Sequence, residues 1–270
     1  MNRILKIETT SICNQKCQFC PQTEYKLKNQ VMPISLFSKI MDSIKALNIE
    51  ISCIHFGGMG EPLLDPSLFG RIHYAKTLTN EFTLTTNGYY LTNTNLTQVN
   101  KYFSKVFFSF HGNTPEEYEK LTGNNFKELK NKYLEAKKVL GKKLVLVNHP
   151  EGKLRMLIEN KKPLLSDIHP FHNFADKWLT EKSKTFGIDA TMNGQKYCEF
   201  DLFIIIGIDG SIRTCCNDWN NENNLLAKLY SKCDRCNNKE YFNKYIQSKK
   251  GLDSEILMKQ LDKEINGVRT

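Results

Sequence analysis

The stretch ILKIETTSICNQKCQFC, residues 4–20, decides the fold of this chain. Its first part, Ile4–Thr10, mixes apolar and β-branched side chains in the manner of a buried strand. Three cysteines then follow with the spacing C-x3-C-x2-C, at Cys13, Cys17 and Cys20. A disulfide uses two thiols and a closed zinc site uses four ligands, so three thiols in one loop complete neither arrangement.

The first two-thirds of the chain alternates strand-like and helix-like patterns, which is typical of βα units around a parallel sheet. Four helices are predicted between the strands: Ser35–Leu47, one that begins at Asp65-Pro66, one that begins with a capping box at Thr114, and Phe126–Leu140. The cysteine loop then lies at the carboxyl end of the sheet, where α/β folds build their active sites. Strands are predicted at Ile4–Thr10, Ile51–Phe56, Phe82–Thr86, Lys105–Phe110 and Lys143–Asn148, with a sixth strand near Ile168–Phe171 and a helix near Asp176–Phe186.

Composition narrows the class of protein. The chain has 270 residues, of which 40% are hydrophobic, enough for a sizeable core. It has no apolar run of about 18 residues and no secretory signal, so we expect a cytoplasmic protein without a membrane partner. Nine cysteines in such a protein indicate metal or redox chemistry, although Cys53 is expected to be a core residue. The net charge of +9 comes from lysines that are spread along the chain, as on solvated helix faces. This charge therefore does not indicate nucleic-acid binding.

The three thiols have two interpretations. Three thiolates can hold three irons of a cubic [4Fe-4S] cluster and leave the fourth iron open to an outside ligand. A zinc site is the alternative, and it needs one more ligand. Three further segments each follow a predicted strand: FGGMGEPLLDP at Phe56–Pro66, TTNG at Thr85–Gly88 and SFHG at Ser109–Gly112. Each is an ordinary loop or turn by itself, but their order along successive strands favours the cluster.

Together these segments resemble the radical S-adenosylmethionine (radical SAM) superfamily over roughly residues 4–148. The cysteine loop is similar to the family signature C-x3-C-x-aromatic-C, with Phe19 at the aromatic position. The resemblance implies a SAM-binding [4Fe-4S] cluster held by Cys13, Cys17 and Cys20, and it assigns no catalytic acid or base. It also implies SAM contacts from Gly58 and Gly60, whose backbone approaches the ammonium group, from Glu61 as a negative partner of that group, and from Asn87 and Ser109 to the methionyl and ribose groups.

The last third of the chain carries a second group of cysteines. Residues 200–216 predict a β-hairpin with a two-residue turn at Asp209-Gly210, and strand alternation points Cys215 and Cys216 to opposite faces. The cysteine order resembles the twitch domain, the half-length relative of the SPASM domain. A structural zinc knuckle is the alternative. The resemblance implies one auxiliary [4Fe-4S] cluster, held by Cys198, Cys215, Cys233 and Cys236.

The resemblance implies an α/β fold: a partial (β/α)6 TIM-type barrel at residues 1–190 and a small hairpin-and-helix twitch domain at residues 191–270. In the family, SAM chelates the unique iron, and its reductive cleavage gives a deoxyadenosyl radical that abstracts hydrogen from the substrate. The chain also resembles twitch-type dehydrogenases such as deoxy-scyllo-inosamine dehydrogenase. This resemblance implies net oxidation of a polyol, sugar or aminocyclitol and a flavodoxin- or ferredoxin-type electron donor.

Two alternatives stay open. The first is a peptide (RiPP) maturase of the same superfamily, which is disfavoured because Cys13 leaves no room before it for a peptide-recognition domain. The second is a non-catalytic zinc protein that binds nucleic acid.

Overall fold

A sheet of six parallel strands with one antiparallel edge strand organises the chain. The computed structural model describes residues 3–17, 20, 22, 29–111, 114–148, 191–192, 195–196, 203–213, 263 and 265. The spatial order of the strands is β5-β4-β3-β2-β1-β8-β9, and β9 is antiparallel to β8. The strands are β1 Arg3–Ile7, β2 Ile51–Phe56, β3 Phe82–Thr86, β4 Lys105–Phe110, β5 Leu144–Asn148, β8 Phe203–Ile206 and β9 Ile212–Arg213, while β6 Thr191–Met192 and β7 Gln195–Lys196 form a separate hairpin.

Helices connect the successive parallel strands β1 to β5. Among the described residues, one α-helix lies between each of the first three pairs of consecutive strands, and two lie between β4 and β5. This repeated βα connection is what forces the strands to be parallel, and it confirms the predicted α/β partial barrel. The helices are α1 Ile34–Ala46, α2 Leu68–Ala75, α3 Asn93–Tyr102, α4 Pro115–Thr122 and α5 Phe126–Leu140.

The two faces of the sheet carry different chemistry. Alternate residues such as Ile7, Phe56 and Phe108 pack against the helices in one apolar core. Fully burying an apolar side chain of this size contributes about 1.5–3 kcal/mol, so this face holds the helices in place. The opposite face is polar on β1 to β3. There the buried His55 ring bonds the Thr83 hydroxyl through Nδ1 at 2.9 Å and the Thr85 hydroxyl through Nε2 at 3.2 Å.

Two predicted boundaries were wrong. Strand β1 ends at Ile7 instead of Thr10, because Thr10 leaves the sheet and pairs with Val31 in an isolated antiparallel bridge. Helix α2 begins at Leu68 instead of directly after Asp65. Asp65 instead accepts the backbone N–H of Ser67 at 2.9 Å, at the end of a short 3-10 turn.

Helix α3 was not predicted, although it has a clear start signal. The Thr92 side chain accepts from the backbone of the third helical residue, Asn95, whose side chain accepts the Thr92 N–H at 3.0 Å. This reciprocal pair is a capping box with asparagine in place of the usual glutamate or glutamine.

The hairpin near residue 210 also differs from the prediction. The Gly207 carbonyl accepts the Gly210 N–H at 3.0 Å, and the Gly207 N–H donates to the Ser211 carbonyl at 2.9 Å. With Gly210 at φ +80°, this is a three-residue loop, a type I turn followed by a bulge. The extra residue explains why Ile206 pairs with Ile212.

Strand β8 pairs in parallel with β1 and is therefore the sixth parallel strand of the sheet. The strand and helix predicted near residues 168–171 and 176–186 lie outside the described residues. The division into two domains at residue 190 stays a prediction.

Candidate active site

The three cysteines of the first loop lie beyond the carboxyl end of β1. Cys17 is buried, Cys13 and Cys20 are half-buried, and all three are free thiols. The loop is closed at its base, where the Ser11 N–H donates to the Gln30 carbonyl at 3.0 Å. Among the described residues, no three His, Cys, Asp or Glu side chains are arranged to hold a single metal ion. Three free thiols in one loop do fit a [4Fe-4S] cluster with three protein ligands.

Burial controls the protonation of these thiols. Burial, together with the charges of Glu61 and Cys20, raises the pKa of Cys13 to about 11. Burial raises the pKa of Cys17 even more strongly, and the neighbouring Cys20 and Cys13 add to it. Each of these pKa values is raised by the charge of another cysteine, which requires the three sulfur atoms to lie close together. A cationic cluster that binds there has to displace their protons, because thiolates are the ligands.

The glycine-rich segment packs backbone to backbone against the cysteine loop. The Glu61 N–H donates to the Ile12 carbonyl at 2.8 Å. A Cβ atom on Gly60 would lie 2.1 Å from the Thr10 carbonyl oxygen, and one on Gly58 would lie 2.4 Å from the Glu8 carboxylate. No side chain fits at Gly60, so this glycine allows the backbones of the two loops to meet, whereas a side chain at Gly58 would have to displace that of Glu8.

Glu61 joins this segment to the end of β3. One carboxylate oxygen accepts the Leu63 N–H at 3.0 Å and the Thr86 hydroxyl at 2.8 Å, and the other accepts the Asn87 N–H at 2.7 Å. Burial raises the pKa of Glu61 to about 7, and these three hydrogen bonds oppose the rise. All three donors belong to the protein, so Glu61 holds two loops together. Its predicted role as a partner of the SAM ammonium group stays a prediction.

Asn87 connects the end of β3 to the cysteine loop. Its side-chain Nδ2 donates to Asn14 Oδ1 at 2.7 Å and lies 3.7 Å from Cys13 Sγ. Its Oδ1 accepts the Tyr89 N–H at 3.1 Å. Asn87 is thus brought directly against a predicted cluster ligand.

Ser109 is buried on the adjacent strand β4, which pairs in parallel with β3. The predicted residues Gly58, Gly60, Glu61, Asn87 and Ser109 therefore all lie at or beyond the carboxyl ends of β2 to β4. Phe19 and the second cysteine group, Cys198, Cys215, Cys216, Cys233 and Cys236, lie outside the described residues.

Sequence patterns missed a line of polar side chains that begins at Cys17. The Cys17 thiol donates to Gln15 Oε1 at 3.3 Å, and Gln15 Nε2 donates to the Tyr118 hydroxyl at 3.0 Å. Tyr118 is hydrogen-bonded to Tyr89 in turn. Gln15 and Tyr118 are 103 positions apart, and no local spacing or motif predicts such a contact.

A comparison with protein-family models matches the radical SAM superfamily at residues 7–156, more than half of the 270-residue chain. The chain belongs to the radical SAM superfamily. Radical SAM proteins use a [4Fe-4S] cluster and SAM, which confirms the main cofactor prediction. The match covers the cysteine loop, the glycine-rich segment and the ends of β3 and β4.

Solved structures share the fold. A crystal structure of BtrN in complex with AdoMet and 2-DOIA is similar with a TM-score of 0.57 and 18% identity, covering 98% of this chain and 88% of that one. The structure of Streptococcus suis SuiB bound to the precursor peptide SuiA has a TM-score of 0.52 and 15% identity, covering 81% and 60%.

One curated relative is 32% identical over 90 residues, the cofactor-modifying protein of a tungsten-containing aldehyde ferredoxin oxidoreductase from Pyrococcus furiosus. This match covers 33% of the chain and 25% of that relative's length. Within the described ranges, no helix is long and apolar enough to cross a bilayer.

Proposed function

We propose that this radical SAM enzyme is an oxidoreductase of the dehydrogenase type that oxidises a small polyol, sugar or aminocyclitol. The observation that supports this best is the likeness to BtrN, which extends over nearly all of both chains and whose crystal structure contains 2-DOIA. The likeness to SuiB, by contrast, covers only 60% of that chain.

The described residues of the first site have distinct roles in this proposal. Cys13, Cys17 and Cys20 bind the SAM-binding cluster. Phe19, which lies outside the described residues, is assigned to the same cofactor site. Gly58, Gly60, Glu61, Asn87 and Ser109 bind SAM or hold the loops that bind it. When bound, the cluster and SAM supply a deoxyadenosyl radical, which removes a hydrogen atom from the substrate. The chain places the substrate next to that radical and keeps water away.

The polar inner face of the barrel supports a hydroxyl-rich substrate. Lys6, His55 and Thr83 are buried on this face, on three adjacent strands. A face lined by polar groups is compatible with a ligand that itself carries several hydroxyl groups.

The second cysteine group completes the proposed oxidation. An alcohol that becomes a ketone loses a hydrogen atom from carbon, the hydroxyl proton and one further electron. We assign Cys198, Cys215, Cys233 and Cys236 to one auxiliary [4Fe-4S] cluster, whose role is to receive that electron. We also propose a cytoplasmic location and a flavodoxin- or ferredoxin-type electron donor for the first cluster.

The peptide-maturase alternative is supported by the likeness to SuiB bound to its precursor peptide. The two functions are separated by incubating the anaerobically reconstituted enzyme with SAM and a reductant. One set of reactions contains a panel of polyols, sugars and aminocyclitols, and the other contains candidate precursor peptides. Deoxyadenosine and oxidised product are measured by mass spectrometry. Product from a peptide and from no small molecule would contradict the proposal.

The cysteines provide matched controls for this experiment. Replacing Cys13, Cys17 and Cys20 together with alanine should abolish deoxyadenosine formation. Cys233→Ala should still form deoxyadenosine but no oxidised product, since the substrate radical keeps its last electron. Cys215→Ala should behave in the same way, and Cys216→Ala should resemble the unchanged enzyme. Undiminished product from Cys233→Ala would contradict the acceptor role.

A further inference from the structure

In the proposed function, the first cluster receives electrons from a separate donor protein. A line of contacting side chains connects Cys17, a buried predicted ligand of that cluster, to the protein surface. Cys17 is only 8% exposed. The line runs from its thiol through Gln15 and Tyr118 to Tyr89, with contacts of 3.3 and 3.0 Å in its first two steps. Tyr89 closes it by donating to the Asn125 carbonyl at 2.5 Å. In the metal-free protein each of these groups contacts the next, so the line is continuous from Cys17 to Asn125. When Cys17 gives up its proton to bind iron, the Gln15 amide keeps the line by turning over, so that Nε2 donates to the thiolate and Oε1 accepts the Tyr118 hydroxyl.

Burial shows that this line crosses from the interior to solvent. Gln15 and Tyr118 are buried, Tyr89 is half-buried and Asn125 is exposed. The Tyr118 ring also packs edge-on against Phe126, with 5.9 Å between ring centroids. The line therefore reaches the surface at the junction of α4 and α5, which Gly123, Asn124 and Asn125 connect.

The surface at this junction carries exposed lysines. Lys16 lies beside the end of α4, since its N–H bonds the Thr122 carbonyl at 3.4 Å. Lys120 is in the last turn of α4, and Lys127 follows the start of α5. All three are exposed, and none of them forms an ion pair with another described residue. We call Lys16, Lys120 and Lys127 the junction lysines.

The acidic groups at the junction are already engaged by the protein. A Glu119 carboxylate oxygen accepts the Phe126 N–H at 3.0 Å, at the positive end of α5. Glu128 lies 3.8 Å from Lys132 in an i,i+4 ion pair. Their charges are partly balanced locally, whereas the junction lysines present theirs to solvent.

We propose that the junction of α4 and α5 is the docking surface for a small acidic electron-transfer protein, and that Gln15, Tyr118 and Tyr89 couple it to the cluster. This rests on the electron donor proposed above. One electron leaves the reduced flavin or iron–sulfur centre of the donor and enters the oxidised cluster, and no atoms are transferred. Lysines at the rim steer such an encounter electrostatically, and electron-transfer contacts of this kind are small and transient.

The docking surface is tested with the reconstituted full-length enzyme and a bacterial flavodoxin in its hydroquinone form. Cluster reduction is followed by stopped-flow absorbance at low salt. Reversing the junction lysines together, as Lys16→Glu, Lys120→Glu and Lys127→Glu, should lower the second-order rate constant about tenfold. A matched control reverses three exposed lysines elsewhere, Lys39, Lys45 and Lys142, and should stay within about twofold.

A second reductant separates docking from damage to the site. Photoreduced deazaflavin is small and needs no docking surface, so it should reduce the cluster of both triple variants at the rate of the unchanged enzyme. An equal effect of the two triple variants on the flavodoxin rate would overturn the proposed surface. Because deazaflavin still drives SAM cleavage in that case, the proposed function would stand.

The line of side chains has its own test. Tyr118→Phe and Tyr89→Phe each remove a hydroxyl and keep the ring, so they break the line without opening a cavity. At saturating flavodoxin, both should slow electron transfer within the complex several-fold while the iron content and the midpoint potential of the cluster stay unchanged. Tyr133→Phe is the control, since Tyr133 packs its ring edge-on against Phe108 and is not a member of the line. A saturating rate that is unchanged in both line variants would overturn the coupling role.

Discussion

Replacing Asp65 with asparagine breaks a buried ion pair that ties the glycine-rich segment to the chain returning from the cysteine loop. Arg71 Nε lies 2.7 Å from Asp65 Oδ2, and the two side chains are 1% and 0% exposed. The same guanidinium donates to the Met32 carbonyl and stacks on Phe37 at 5.1 Å. Met32 in turn donates its N–H to the Thr9 carbonyl.

The cost of the change follows from burial. Asp65→Asn keeps Oδ1 as the acceptor for the Ser67 N–H but removes the charge that balances Arg71. Breaking one side of a buried ion pair costs about 3–5 kcal/mol in the free energy of unfolding. The double variant Asp65→Asn/Arg71→Met removes both charges and should be more stable than Asp65→Asn alone, because no uncompensated charge stays buried.

A surface ion pair supplies the matched control. Lys132 and Glu128 are 3.8 Å apart, and the Glu128 side chain is 56% exposed. Glu128→Gln should therefore change the free energy of unfolding by no more than about 0.5 kcal/mol.

Urea unfolding of the metal-free, reduced protein measures these free energies, and iron content after reconstitution reports on the cysteine loop. Asp65→Asn should lower both. An Asp65→Asn variant within about 1 kcal/mol of the unchanged protein would refute the reasoning. So would a double variant less stable than Asp65→Asn alone.

Three further predictions concern the loops around the site. Gly60→Ala should block assembly of the site, because the new Cβ atom would lie 2.1 Å from a backbone carbonyl oxygen. The control Gly70→Ala lies in a helix with open space around it and should stabilise the protein by roughly 0.5–1 kcal/mol in thermal unfolding. Thr86→Val removes the donor to Glu61 and the acceptor of the Gly88 N–H, and should cost about 2–4 kcal/mol in urea unfolding, whereas Thr86→Ser keeps the hydroxyl and should cost about 1 kcal/mol. Burial raises the pKa of Cys13 to about 11, so iodoacetamide should label this thiol slowly at pH 8 in the metal-free protein and faster as the pH approaches 11. Labelling is measured by mass spectrometry, and fast labelling at pH 8 would contradict the burial of this thiol.

Local patterns predicted most of the sheet because each strand has its own signal. The predicted bounds of β2, β3, β4 and α5 agree with the structure. Errors arose where a distant partner decides the outcome. Thr10 is β-branched and continues a strand-like run, but its bridge to Val31 takes it out of the sheet. The pattern at residues 200–216 predicted the hairpin of β8 and β9 but not the pairing of β8 with β1 in the barrel sheet.

The site itself was predictable only as a set of residues. Motif order identified Glu61 and Asn87, but it contains no information about which atoms their side chains contact. The Glu61 carboxylate accepts three protein hydrogen bonds, which depend on how two loops and β3 come together. Residues without a motif, such as Gln15 and Tyr118, were not predictable at all.

The hydrogen bonds of Asn87 connect its predicted role in SAM binding to the cysteine loop. Its Oδ1 is occupied by the Tyr89 N–H and its Nδ2 by Asn14, which leaves the longer contact of 3.7 Å to Cys13 as the weakest one. A ligand that accepts a hydrogen bond from Nδ2 would replace the contact to Cys13 before the one to Asn14, because a long hydrogen bond to sulfur is the least costly to lose. Cys13 is also a predicted iron ligand, and its sulfur gives up its proton when iron binds. The two predicted roles, iron binding by Cys13 and SAM binding by Asn87, thus fall on side chains that contact each other, and we expect Asn87→Ala to weaken both cluster retention and SAM binding.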